Sequence, residues 1–258
     1  MQDFDRIRSF IQSFSKDEDG LLGDIYRDAV ERGVPVIRTD TKELLRLLLL
    51  MQKPKRILEI GTAVGFSALF MAECLPDTEI VTLEMDPARV AEARENIRRA
   101  GAEDRITVIE GDAAEILRTM PFGQQVEADK INGSGEKNEK VLRASERETQ
   151  DMENSVNRTG FDLVFIDAAK AQYGEYLTLV LPMLSQEALI ISDNVLQDGS
   201  ILESHFLVEK RDRTIHDRMR EYLQRLTGTE GMSTSIIAVG DGVAITLYHP
   251  GTEHSINV

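Results

Sequence analysis

Two short segments carry residue types that could do chemistry together: Asp167-Ala-Ala-Lys170 and Asp193-Asn194. Each follows an apolar, β-prone run, FDLVFI before the first and ALIIS before the second. If those runs are neighbouring parallel strands, both segments leave the sheet at the same edge. Asp167, Asp193 and Asn194 would then bring three oxygen donors together, with the Lys170 amine beside them. Hard donors with few carboxylates suit Mg²⁺, with water or substrate completing an octahedron. A hydroxyl bound to such a cation becomes more acidic, as metal-bound water does. Lys170 lies one helical turn beyond Asp167, where a nearby cation disfavours its ammonium form and suits it to act as a general base. Taken singly, the aspartates read as helix caps and the lysine as a solvated side chain. At the ends of two strands of one inferred sheet they read as a site.

The elements that must position them follow from alternation. RILEIG, EIVTLEMD and RITVIEGD read as strands, separated by the helical runs SALFMAECL and PARVAEARENIRRAG and followed by AAEILRTM. FDLVFID, a helix around YGEYLTLVLPML and the strand ALIISD continue the series. Pro87 sits where a first-turn proline is tolerated, and Gly101 where a helix-ending glycine is expected. Strands alternating with helices imply right-handed βαβ units. The expected fold is therefore α/β: a Rossmann-like, doubly wound, mostly parallel sheet with helices on both faces. Two β runs around Asp241-Gly242 add an antiparallel hairpin at the C-terminal end. Upstream, helices are expected over 3–14 and 19–32, and a third is capped by Thr39 or Asp40 and ended by Pro54. A charged helix is expected over about 203–226. The polar stretch at about 121–160 interrupts the pattern and is expected to be a mobile surface insertion in a single 1–258 domain, or alternatively a flap that engages substrate.

Bulk properties narrow the function classes. The 258 residues carry 30 Lys and Arg against 45 Asp and Glu, a net charge of −15. No global positive field is available to attract nucleic acid non-specifically. A single cysteine, Cys74, excludes a disulfide framework within the chain and fits a reducing compartment. The N-terminal residues lack the apolar core of a signal peptide, and LLRLLLLM at 44–51 is too short to span a bilayer. A cytoplasmic protein that does not engage membranes is the expectation.

A second constellation lies upstream. Residues 59–67 read Glu-Ile-Gly-Thr-Ala-Val-Gly-Phe-Ser, with Gly61 and Gly65 between a strand and a helix. Glycines there allow close backbone approach to a ligand at the switch point of a doubly wound sheet. The spacing is not the dinucleotide fingerprint G-x-G-x-x-G. Glu59 would repel a pyrophosphate but favour a cationic ligand, which argues for S-adenosylmethionine over NAD and against a dehydrogenase. Glu84 ends the next strand, where an acid can accept from ribose hydroxyls. Asp112, within Gly111-Asp112-Ala113 after the third strand, can meet an adenine amino group. Each acid alone would read as a cap or a solvated charge; three consecutive strand ends are harder to read that way.

These residues, with D-A-A-K-A-Q-Y at 167–173, closely resemble the cation-dependent class I S-adenosylmethionine O-methyltransferases, the family of the catechol and caffeoyl-CoA enzymes. The resemblance covers roughly 20–118 and 160–250. It implies that Asp167, Asp193 and Asn194 hold the cation and that Lys170 assists deprotonation. It further implies that the glycine loop and Glu84 hold the cofactor, and that Ile37 and Ser67 line its pocket. Relatives commonly form homodimers. The chain departs from many relatives at Lys42, where they carry glycine.

For the acceptor, K-R-D-R-T-I-H-D-R-M-R-E-Y-L at 210–223 and V-P-V-I at 34–37 are similar to bacterial tRNA 5-hydroxyuridine methyltransferases. That likeness implies a tRNA partner whose wobble 5-hydroxyuridine becomes 5-methoxyuridine. Lys210, Arg211, Arg213, Arg218, Arg220 and Arg225 form a basic stretch that could meet phosphates. Interleaved Glu209, Asp212, Asp217 and Glu221 equally suit an ion-paired, solvated helix face. Tyr173 and His216 are candidate base contacts. The alternatives are the same chemistry on a small catechol-like phenol, which the absence of tryptophan and 5 % aromatics disfavours, and a non-catalytic S-adenosylmethionine-binding module.

Overall fold

A computed structural model describes residue 6 and residues 9–15, 18–120, 160–206 and 208–250. The insertion expected at about 121–160 lies outside the described residues, Gly160 excepted, as does part of the helix expected at 3–14. Seven strands form one sheet in the order β3-β2-β1-β4-β5-β7-β6. They are β1 Arg56–Ile60, β2 Glu79–Glu84, β3 Ile106–Glu110, β4 Phe161–Ile166, β5 Leu184–Ser192, β6 Met232–Ile237 and β7 Val243–Tyr248. The first five pair in parallel, and β7 runs antiparallel to both β5 and β6. This is the Rossmann-like arrangement expected, with Asp241-Gly242 in the turn of the terminal hairpin.

Helices α1 Gly20–Glu31, α2 Thr39–Gln52, α3 Phe66–Cys74 and α4 Pro87–Arg99 cover one face. Helices α5 Ala113–Thr119, α6 Tyr173–Val180 and α7 Arg213–Gly228 cover the other. The strands show why two layers are needed. Leu163 and Phe165 enter the first core, whereas Val164 and Ile166 enter the second. Period-two alternation with both faces apolar is the signature of a parallel strand covered on each side. Each such fully buried side chain contributes about 1.5–3 kcal/mol of hydrophobic burial.

Two helix starts differ from expectation. Arg38, not Thr39 or Asp40, is the N-cap of α2, and its side chain makes no capping bond. Asp40 instead accepts from the Gly240 amide at 3.0 Å, fastening α2 to the hairpin turn. The charged helix begins at Arg213 rather than near 203; 197–202 form a 3₁₀ turn after β5, and a turn in which the Asp212 amide donates to the Glu209 carbonyl precedes the helix. Among the described residues, no helix is long and apolar enough to cross a membrane.

The sheet's central crossing is tight. The Gly61 φ is +103°, and a Cβ there would lie 2.1 Å from the Asp167 carbonyl oxygen. Both the dihedral and the backbone clash oppose any side chain. Gly61→Ala should therefore cost at least ~2 kcal/mol and lower the melting temperature by about 4–8 °C. A thermal melt that leaves the variant level with the parent would contradict this close approach.

Candidate active site

Strand register builds the site. Ile60 pairs with Ile166, and Ile166 with Ser192, so Gly61, Asp167 and Asp193 step off three adjacent strands at one level. The ladder continues past the strand ends: the Asp167 amide donates to the Ile60 carbonyl at 3.0 Å and the Asp193 amide to the Ile166 carbonyl at 2.9 Å. On the other side, Gly61 N–H donates to the Leu83 carbonyl and Gly111 N–H to the Glu84 carbonyl. The first three strands progress outward from β1 in one direction, and β4 and β5 in the other. The crevice opens where that order reverses, between β1 and β4.

A cavity of about 840 Å³ occupies this crevice. Its wall includes Ile37, Gly61, Ser67 and Glu84, together with Gly111, Asp112 and Ala113. Asp167, Lys170 and Asn194 line it too, so the two constellations read from the sequence share one chamber. Glu84 Oε2 accepts from the Ala63 amide and Oε1 from the Met85 and Asp86 amides, each at 2.9 Å. It therefore ties the glycine loop to β2 while facing the cavity. Asp112 both lines the wall and caps α5, accepting from Glu115 N–H at 3.1 Å.

Three residues singled out in the sequence lie behind the wall. Gly65, with φ +83°, starts α3 and packs close to Ala93 of α4. Glu59 is fully buried under the loop, where Oε2 accepts from the Thr82 hydroxyl at 2.5 Å and Oε1 has no partner. Burial pushes its carboxyl up to about 7, against the pull of hydrogen bonds from Ser67 and Thr82. Its charge is thus partly suppressed near neutral pH, which weakens the electrostatic reasoning that favoured a cationic ligand. Asp193 is 2 % exposed and sits beside Asp167.

The acids at the β4 and β5 ends have the character of a cation site. Asn194 Nδ2 donates to Asp167 Oδ1 at 2.7 Å, and Asp193 Oδ1 accepts from the Asn194 amide at 2.8 Å. Asn194 takes a left-handed backbone, φ +59°, that turns its amide toward Asp167. Burial raises the Asp167 carboxyl, countered by Asn194 and Lys170. Burial and the charge on Asp167 push Asp193 up to about 7. Crowded oxygen donors, Asp193 buried and Asp167 and Asn194 half-buried, with excess negative charge fit a hard divalent ion.

Asp241 was legible in the sequence only as a turn residue. It is 5 % exposed, lines the cavity, and lies 3.3 Å from Lys170 Nζ through Oδ2. Its turn is held by Asp40 and by the Val195 and Leu196 amides, which donate to the Gly242 and Asp241 carbonyls. Arg38, Arg89 and Tyr176 also line the cavity without having been singled out. Lys42 is not on the wall; it is buried against Glu18 at 2.7 Å and over the Phe70 ring.

Most of the basic stretch is tied to the protein's own backbone, although Lys210, Arg211, Arg218 and Arg220 stay exposed. Arg213 donates to the Val208 carbonyl, Arg218 to Ala171, Arg220 to Ile201 and Arg225 to Gly174. Arg211 is exposed and paired with Glu209 and Asp212. Tyr173 is fully buried and donates to the Asp193 carbonyl at 3.0 Å, and His216 is 1 % exposed. Neither presents a ring face to a base.

The O-methyltransferase family model matches residues 12–140 and 121–249. The chain is 31 % identical over 207 residues to a catechol O-methyltransferase of Niastella koreensis, covering 79 % of each. It is 30 % identical over 226 residues to one of Mycobacterium tuberculosis, covering 85 % of this chain and 84 % of that one. The O-methyltransferase TomG of Streptomyces achromogenes, solved with S-adenosylmethionine, superposes with a TM-score of 0.70 at 24 % identity, over 95 % of this chain and 96 % of that one.

The raised Asp193 carboxyl sets a pH dependence. Its folded value of about 7 lies above the ordinary ~3.9, so its penalty to folding is absent at low pH and grows as pH rises from about 4 to 7. Without divalent cation, Asp193→Asn should melt about 5 °C above the parent at pH 8, with the gap closing toward pH 4. A gap that stays constant across that range would remove this carboxylate from the stability of the cation-free fold.

Proposed function

The chain belongs to the O-methyltransferase family, and from that premise we propose that it methylates one hydroxyl of a small catechol-like diphenol. The methyl donor is S-adenosylmethionine, and Mg²⁺ is the cation. The observation that carries this reading is the meeting of Asp167, Asn194 and Lys170 on one wall of the cavity, with Asp193 directly behind. Two relatives that cover about four-fifths of the chain are catechol O-methyltransferases. Two adjacent hydroxyls can both approach one hard cation, which favours a vicinal diphenol over a monophenol.

Asp167, Asp193 and Asn194 would hold the cation, and a cation there would acidify a coordinated hydroxyl. Lys170 takes the hydroxyl proton at Nζ, and Asp241 holds the resulting ammonium. Glu84 and Asp112 face the part of the cavity suited to ribose and adenine, leaving the methyl donor end toward Asp167. Fixing both reactants in one chamber converts a bimolecular displacement into a positioned one. Ile37 supplies apolar wall that limits water.

The likeness of segment 210–223 to tRNA methyltransferases favours a second acceptor, 5-hydroxyuridine at the tRNA wobble position. Against it stand the bonds of Arg213, Arg218, Arg220 and Arg225 to backbone carbonyls and the pairing of Arg211 with Glu209 and Asp212, which engage guanidinium groups that a phosphate would need. A single assay separates the two. With S-adenosylmethionine and Mg²⁺, the protein should convert catechol to its monomethyl ether, and chelation should abolish turnover. Nucleoside mass spectrometry that finds methoxyuridine in undermodified tRNA, with no catechol product, would replace the first reading by the second.

Two substitutions test the residue roles. Asp193→Ala should abolish Mg²⁺-dependent turnover while leaving S-adenosylmethionine affinity within a few-fold. Lys170→Met should lower kcat by about 10²–10⁴ with little change in cofactor affinity. Full activity in either variant would refute the corresponding role.

A further inference from the structure

A second group of metal-binding side chains lies outside the cavity, where α7 meets the segment that follows the 3₁₀ turn. His205, His216 and Asp217 place one donor atom each within 4.8 Å of one another, the one such His, Cys, Asp and Glu group among the described residues. His205 Nδ1 lies 2.9 Å and His216 Nδ1 3.0 Å from the same oxygen, Asp217 Oδ1. The two imidazole rings are 6.4 Å apart.

The tautomer of His216 makes this arrangement informative. Its Nε2 lies 3.1 Å from the Glu203 carbonyl, which can only accept, so Nε2 carries a hydrogen. In the neutral ring Nδ1 is then a bare lone pair, and it faces a carboxylate oxygen. That contact is unfavourable unless a positive centre sits between the two atoms. A proton would provide one by leaving an imidazolium at a site 1 % exposed. A metal ion provides one while keeping the ring neutral, and it engages His205 Nδ1 in the same step. A ring nitrogen anchored on a backbone carbonyl, with the other nitrogen free for a metal, is the usual orientation of a ligating histidine.

We propose that His205, His216 and Asp217 form a second cation site, for a borderline transition metal ion such as Zn²⁺. Two imidazole nitrogens and one carboxylate oxygen suit Zn²⁺ and not Mg²⁺, which prefers oxygen donors. A tetrahedral ion about 2.0–2.1 Å from its ligands holds neighbouring donors roughly 3.3 Å apart, close to the separations from Asp217 Oδ1 to each ring. Three protein donors leave a fourth position for water, so the ion would exchange and be removable by chelators. Bound, it would pin the stretch around His205, which carries the exposed Leu202 and Phe206 side chains, onto the start of α7.

The site is tested on the full-length protein, stripped of metal and held in millimolar Mg²⁺, by titration with Co²⁺ and then Zn²⁺. The expected result is about one equivalent of Co²⁺ with the visible absorption of a low-coordinate nitrogen-ligated ion, displaced by Zn²⁺. Zn²⁺ should also raise the melting temperature by about 5 °C at saturating concentration. His205→Ala and Asp217→Asn change exposed side chains, and each should weaken binding at least tenfold. Asp193→Ala should bind as the parent does. The proposal is overturned if Zn²⁺ does not bind in the presence of Mg²⁺, if His205→Ala binds as the parent does, or if Asp193→Ala abolishes binding.

Discussion

The chain passes from β1 into the glycine loop directly against the backbone at Asp167, and that close passage sets the geometry of everything around it. No side chain fits between Gly61 and the Asp167 carbonyl. The register of β1 against β4, and of β4 against β5, then has one solution in which Gly61, Asp167 and Asp193 leave the sheet together. A slip of one residue would turn every inward side chain of β4 to the opposite core. The apolar packing that fixes the register therefore also fixes the distance between the would-be methyl donor pocket and the would-be cation site.

That edge is where the structure works against its own stability. Glu59, Asp193 and Asp241 are buried in or beneath it and Asp167 is half-buried, on a chain already at net charge −15. Desolvation raises Glu59, Asp167 and Asp193 in the same direction. Lys170 reaches Asp241 at 3.3 Å and lowers the Asp167 carboxyl, and Arg38 lowers the Asp193 carboxyl, but burial outweighs both. The surrounding packing maintains that local cost, which the proposed cation would offset. The same charges would be a liability anywhere a hydrophobic layer had to close.

The fold was legible because its signals are local and repeated. Alternating strand and helix runs, Pro87 at a helix start and Asp-Gly in a hairpin each state a backbone preference that the tertiary structure keeps. The candidate site was legible at strand ends, as at Asp167, Asn194 and Glu84, which the structure brings to one cavity. It was not legible where a contact spans the chain. Asp241 looked like turn chemistry, and only the antiparallel return of β7 beside β5 brings it to Lys170. Glu59 read as facing a ligand, but it is fully buried; a strand residue two before the turn points into the layer beneath, and one sequence cannot say which layer that is. The helix expected from about 203 fails for a third reason: its charged residues at 209–212 suit a helix by composition, but they form a turn in which the Asp212 amide donates to the Glu209 carbonyl, and the helix starts after it.

Charge counting along a segment misjudges a surface for the same reason. The stretch 210–225 is locally basic, yet a guanidinium presents five donors in a fixed fork and is as useful to a buried carbonyl as to a phosphate. Arg225 joins α7 to α6 through Gly174 and Thr178, and Arg218 holds the turn that carries Lys170 through Ala171. These arginines thus brace the elements behind the cavity even where, as at Arg218, the side chain is exposed. Guanidinium groups already bonded to carbonyls weaken the electrostatic case for a polyanionic acceptor without touching the case for methyl transfer. The two conclusions rest on different parts of the chain: the chemistry on atoms fixed by strand register, and the acceptor on side chains whose direction only packing decides.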